Sequence, residues 1–213
     1  MIYILIASAF SALLYGAFFC NSAPSATRVI LKVTATALLT LWAYLSGAPL
    51  PLVIALSFST LGDGLLGASE KTFLLPGMAA FFMAHAAYLP LFWEHGADTR
   101  PALILAIQIA LTIGGALYIR SLLPWMEKTM RWPVIGYTII ILVMTHGALR
   151  LEPALWLATI GAIAFAASDT ILALELFRLK PDAPIKRYTA RSVWALYYGG
   201  QAAIAWAFIH AAY

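Results

Sequence analysis

Residues Pro101–Ile119 read PALILAIQIALTIGGALYI, a run with no charged side chain. A helix rises about 1.5 Å per residue, so the run covers most of the roughly 30 Å hydrocarbon core of a bilayer. Comparable runs lie on both sides of it. They predict span one over Ile2–Phe19, span two over Val29–Leu45, span three over Pro51–Leu66 and span four over Phe73–Trp93. The quoted run is span five. Span six follows a loop with Pro124 and Pro133 and ends near Leu149. Span seven covers Pro153–Phe177, and span eight runs from Ser192 to the end. Pro51, Pro101, Pro133 and Pro153 are expected at helix starts, where a missing N–H costs little.

Composition agrees. Of 213 residues, 63% are hydrophobic and 10% charged, against about 45–50% and about 25% in soluble domains. A soluble globule of this length could not hide that apolar surface, and disorder needs the opposite balance. The expected fold is all-α: a transmembrane bundle of eight helices forming one integral membrane domain over residues 1–213. The net charge of +4 does not imply nucleic acid, because basic residues in such a chain mark cytoplasmic loops. The single cysteine, Cys20, cannot form an internal disulfide. The first span lacks a positive leader, and Asn21–Ala26 only loosely resembles a cleavage site, so a retained span is expected.

Eight spans sort the basic residues. Loops after odd-numbered spans, with their margins, hold Arg28, Lys32, Lys71, Arg120, Lys128, Arg131, Arg178, Lys180, Lys186, Arg187 and Arg191, whereas the other side holds only Arg100 and Arg150. The positive-inside rule then puts both termini outside the cytoplasm. A bacterial inner membrane is the expected location.

Asp63 and Asp169 fall inside spans three and seven, roughly 6–13 Å from the inner boundary at helical rise. A carboxylate at that depth is costly and marks a functional site by default. Small and hydroxylic neighbours surround both, in Thr60-Leu-Gly-Asp-Gly-Leu-Leu-Gly67 and Ala166-Ala-Ser-Asp-Thr-Ile-Leu-Ala173. The two octets suggest a tandem repeat of four helices about an axis along the membrane normal, which would bring the aspartates together. Other polar residues reach a similar depth: His85 and Tyr88 on span four, Tyr137 on span six, and Trp194, Tyr197, Tyr198 and Gln201 on span eight. Arg28 and Lys32 share a face at the inner boundary. Taken singly, these side chains fit an aromatic belt or snorkelling cations; their shared depth favours a site. His85, His95, His146 and His210 show no paired spacing, so no metal is expected. No G-x-S-x-G nucleophile and no glycine-rich phosphate loop occurs.

These segments together resemble the YhhN family, the lysoplasmalogenases. The matching stretches are Ser59–Asp63, Phe81–Tyr88 with Ala84-His85, Gly161–Asp169 with Phe165–Asp169, and Tyr197-Tyr-Gly-Gly-Gln201. Lys32 matches the family's lysine on span two; the proline that usually follows is Val33 here. The resemblance covers nearly the whole chain. It implies hydrolysis of the vinyl ether bond of a lysophospholipid by water, giving a fatty aldehyde and a glycerophospho-alcohol, without a cofactor. On that reading Asp63 and Asp169 share acid and base roles. His85, Tyr137, Tyr197 and Gln201 position water or the carboxyl pair, Tyr88 and Tyr198 join the substrate site, and Arg28 and Lys32 hold the phosphate, facing the cytoplasmic leaflet. Two alternatives remain at this point: a proton-coupled carrier using the same aspartates, and a lipid-binding protein without catalysis.

The charge segregation gives a direct expectation. Single cysteines at Ala183 and Ala212, in a Cys20→Ala background, should react with an impermeant thiol reagent from opposite sides of the membrane. Reaction from one side rules out the eight-span topology.

Overall fold

The computed structural model describes residues 1–23, 25–97, 101–180 and 182–210, apart from the side chains of Glu70 and Lys71. Arg100, the Lys71 side chain and Ala212, which enter the topology argument, lie outside what is described. Eight long helices make up the fold: α1 (Ile2–Leu14), α2 (Ala26–Leu45), α3 (Leu50–Ala68), α4 (Glu70–Glu94), α5 (Ala102–Leu122), α6 (Lys128–Ala148), α7 (Trp156–Phe177) and α8 (Lys186–His210). Among the described residues there is no strand, only one isolated bridge between Gly96 and Leu151. Among the described residues, six segments are long and apolar enough to cross a membrane: those of α1 to α5 and of α7. Helices α6 and α8 are as long, 21 and 25 residues. They are less apolar because basic residues open both and polar side chains line one face of each. The chain is a helical membrane bundle, as its composition predicted.

Local signals account for the helix boundaries. Ser25 caps α2 by accepting the Arg28 N–H at 3.2 Å, and Ser69 caps α4 by accepting the Thr72 N–H at 3.3 Å. Gly47, at φ +75°, makes the turn between α2 and α3; a residue with a Cβ is strained there. Pro51 and Pro101 sit at helix starts as expected, and Pro153 opens a short 3-10 turn before α7. Pro133 does not: it lies inside α6, which begins at Lys128. The bond it removes belongs to the Thr129 carbonyl, on an exposed residue that water can satisfy. Span four begins earlier than Phe73, which instead marks a kink in α4 (φ −109°, ψ 17°) ahead of Pro76. Helix α8 likewise starts at Lys186, ahead of Ser192; its first turns are too basic to read as membrane.

Two helix pairs form the tight centre. In α7 and α8, a Cβ on Gly200 would stand 2.6 Å from the Gly161 carbonyl oxygen, so only glycine allows this approach. In α3 and α4, a Cβ on Gly62 would meet the Phe81 ring at 2.6 Å. Small residues serve this purpose in membrane bundles, where lipid supplies no hydrophobic drive between helices. Helix α1 is fastened to α2 by Ser8 and Ser11, which donate to the Ala35 and Leu31 carbonyls at 2.6 and 2.9 Å. Helix α5 is different. Its only buried residue is Leu122, and Tyr118 reaches across to donate to the Thr170 carbonyl at 2.6 Å. The space left between α5 and α7 becomes a cleft.

Gly200→Ala should therefore destabilise the bundle by about 1–3 kcal/mol, as overpacking does. Gly199→Ala, with nothing within 4 Å of the added carbon, should be neutral or slightly stabilising. Melting of the two purified proteins in detergent compares them; equal melting temperatures would refute the close α7–α8 approach.

Candidate active site

Asp63 on α3 is fully buried. Its Oδ1 lies 2.9 Å from Lys32 Nζ on α2, and its Oδ2 accepts the Tyr197 hydroxyl of α8 at 2.7 Å. A bare carboxylate in hydrocarbon costs several kcal/mol; an ammonium and an O–H donor answer that cost. Lys32 is thus turned onto Asp63 rather than standing free beside Arg28 at the boundary.

Asp169 on α7 is built differently. Its Oδ2 accepts the Tyr137 hydroxyl of α6 at 2.9 Å and lies 3.3 Å from His85 Nε2 on α4. The other imidazole nitrogen, Nδ1, is 2.7 Å from the Phe81 carbonyl. A carbonyl only accepts, so Nδ1 carries hydrogen and Nε2 is the nitrogen facing Asp169. Two states then fit: a protonated Asp169 donating to neutral His85, or an imidazolium donating to a carboxylate.

The two clusters correspond. Lys32 on α2 and Tyr137 on α6 take equivalent places, as do Asp63 on α3 and Asp169 on α7. Tyr197 on α8 answers to His85 on α4 in the crossed sense. Each aspartate thus takes one partner from the second helix of its own half and one from the fourth helix of the other half. A two-fold relation between four-helix halves produces this pattern. Phe81 meets Phe165 and Tyr197 edge-on and Phe165 meets Tyr197 at a tilt, with centroids 5.4–6.4 Å apart. The halves differ where α1 packs on α2 while α5 stands away from α7.

Two clefts meet here. One, about 130 Å³, is polar and lined by Arg28, Lys32, Asp63, Asp169, Glu175, Trp194 and Tyr197, with Tyr15 and Cys20 from the end of the first span. The other, about 720 Å³, is almost wholly apolar and runs between α4, α5, α6 and α7, from Phe177 at one end to Leu149 at the other. Asp169 lines both, and Leu66, Phe81 and Leu172 form shared walls.

Of the residues singled out from sequence, Asp63, Asp169, Lys32, His85, Tyr137 and Tyr197 are brought together, with Arg28 at the polar cleft. Tyr88 and Gln201 line neither cleft: the Tyr88 hydroxyl donates to Gln201 Oε1, and Gln201 Nε2 donates to Ser59 Oγ at 2.8 Å. They form a buried network one turn from Asp63 and Tyr197. Tyr198 points away, to Ser8 Oγ at 2.7 Å. Glu175 was not anticipated, because it lies close enough to the end of span seven to read as a boundary charge. Among the described residues no three His, Cys, Asp or Glu side chains converge as metal ligands.

The sequence model of the YhhN family matches residues 27–208. The chain belongs to the YhhN family. The match takes in α2 to α7 and nearly all of α8, hence both aspartate clusters, while α1 precedes it. No curated protein sequence and no solved structure gives a match. For this YhhN protein the site geometry therefore has to carry the functional argument.

Gln201→Leu separates support from chemistry. It strands the Tyr88 hydroxyl in the core, at about 1–3 kcal/mol for an unsatisfied group, and removes a donor from Ser59, which keeps its bond to the Ala55 carbonyl at 3.0 Å. Melting should fall clearly, while Asp63 and Tyr197 keep their own bond. An unchanged melting temperature would contradict the network.

Proposed function

We propose that the protein is an intramembrane hydrolase that cleaves the vinyl ether of a lysoplasmalogen, using water and no cofactor. The observation that carries this reading is the unlike pair of carboxylates where a polar cleft joins a long apolar one. One faces His85 Nε2 at 3.3 Å; the other is held by an ammonium.

Vinyl ether hydrolysis needs a proton on carbon and then water on the resulting cation. Asp169, backed by His85, donates to the alkenyl carbon distal to oxygen; the C=C π pair forms the new C–H bond, and a lone pair of the ether oxygen makes the other carbon an oxocarbenium ion. The Asp63 carboxylate stabilises that cation and takes a proton as water adds to the carbon bearing oxygen. Collapse of the hemiacetal returns the hydroxyl proton to the Asp169–His85 pair, while Asp63 gives its proton to the departing glycerol oxygen. A fatty aldehyde and a glycerophospho-alcohol leave, and both carboxyl groups are reset. Glycoside hydrolysis divides the work between two carboxyl groups in a comparable way. Tyr137 and Tyr197 orient the carboxyl groups, Arg28 meets the phosphate, and the apolar cleft takes the alkenyl chain. The charge segregation supports a polar cleft open to the cytoplasmic leaflet.

Purified protein in detergent should release aldehyde from lysoplasmalogen without any gradient, which a carrier would not do. Asp63→Asn and Asp169→Asn should each reduce kcat at least 10²-fold, about the lower end of general acid–base contributions. The double variant should cost little more, because the pair acts as a unit. The pH profile should be bell-shaped and belong to the coupled groups. A folded single variant with near-normal turnover ends the proposal.

A further inference from the structure

The last turn of the first span is a π-helix, Tyr15–Phe19, in which the Cys20 N–H donates to the Tyr15 carbonyl at 2.8 Å. Single π turns are rare and occur often at functional sites. Here the extra residue changes the helix phase. Ser8, Ser11, Ala12 and Tyr15 form the inward stripe of α1, and the π turn keeps Cys20 on that stripe, under Tyr15. Both line the polar cleft.

Tyr15 is held firmly. Its ring packs on Trp194 at 4.5 Å between centroids, and Trp194 Nε1 donates to the Ala12 carbonyl at 2.9 Å. Gly16 permits the approach, since a Cβ there would stand 3.0 Å from Trp194. Lys32 Nζ lies 5.9 Å from the Trp194 ring on the same side of the site. Yet the Tyr15 hydroxyl makes no hydrogen bond among the described residues, although the residue is only 4% exposed. Arg28 Nε is likewise buried without a partner. Two unanswered donors and an ammonium thus border one cleft. The carboxylates of that cleft are already engaged: Asp63 by Lys32 and Tyr197, Asp169 by Tyr137 and His85, and Glu175 by the Thr189 hydroxyl.

We infer that Tyr15 is a ligand-binding residue of this cleft, its hydroxyl donating to an oxygen of a phosphate ester that Arg28 holds by charge. Helix α1 thereby supplies part of the head-group site, although it lies ahead of the family match. The proposed hydrolase function enters only in naming the phosphate ester as that of a single-chain lipid; binding tests the inference without turnover.

The probes are a non-cleavable 1-O-alkyl lysophospholipid, the matching 1-O-alkylglycerol without phosphate, and inorganic phosphate, each titrated into the full-length protein in detergent. Tyr15→Phe should weaken the lysophospholipid about 10- to 150-fold, the range for a hydrogen bond to a charged group, and leave the alkylglycerol unchanged. Gly16→Ala keeps the hydroxyl but pushes it off Trp194; it should give the same selective loss, and it serves if Tyr15→Phe does not fold. Inorganic phosphate that displaces the lysophospholipid in a Tyr15-dependent way supports the same contact with the free anion as its source. Its failure to displace, with the selective loss kept, assigns the contact to the lipid head group. Equal losses for both amphiphiles, or none, overturn the inference. Tyr15-dependent binding without any vinyl ether hydrolysis would preserve it and end the hydrolase reading alone.

Discussion

Two carboxyl groups sit where the surrounding medium cannot solvate them, and much of the structure answers that constraint. Burying an unpaired ion costs far more than a helix contact returns. Each aspartate therefore needs charge or donors from other helices, and those helices must come close. Lys32, Tyr197, Tyr137 and His85 arrive from four helices to meet two on α3 and α7. The glycines at the α7–α8 and α3–α4 crossings set the spacing at which those side chains reach. Packing and electrostatics are in this sense one problem: a wider α7–α8 separation would loosen the contact between Tyr197 and Asp63.

The two answers are unequal, and the inequality has chemical content. An ammonium against Asp63 favours a fixed carboxylate. Asp169 faces an imidazole instead, whose Nδ1–H the Phe81 carbonyl holds. A symmetric frame of helices thus holds an asymmetric pair. The crossed pairing between halves gives each carboxyl group its own set of partners.

Much of this was legible in the sequence, for a physical reason. Charge is so disfavoured within long apolar runs that Asp63 and Asp169 stood out without any structural knowledge, and the depth of His85, Tyr137 and Tyr197 followed from counting residues. Helix phase was harder to read. Tyr198 adjoins Tyr197 but turns about 100° around α8 and bonds Ser8. Gln201 shares the face of Tyr197 yet lies a turn away, and is consumed by Tyr88 and Ser59. Pro133 misled because a proline within an exposed first stretch of helix is tolerable. The place of Cys20 was invisible to spacing arguments, since the π turn between it and Tyr15 breaks the periodicity on which they rest.

The stand-off of α5 has a consequence for how affinity is defined. An apolar cleft of about 720 Å³, walled on one side by a helix with a single buried residue, equilibrates with the hydrocarbon around it rather than with water. Under the proposed function, the occupancy of a single-chain amphiphilic substrate then follows its mole fraction in the membrane or micelle, not its bulk molarity. The detergent that solubilises the protein is itself such an amphiphile. Diluting a lipid into more micelles would lower occupancy at constant total concentration, a surface-dilution behaviour that belongs to the geometry of the helix and not to any one side chain.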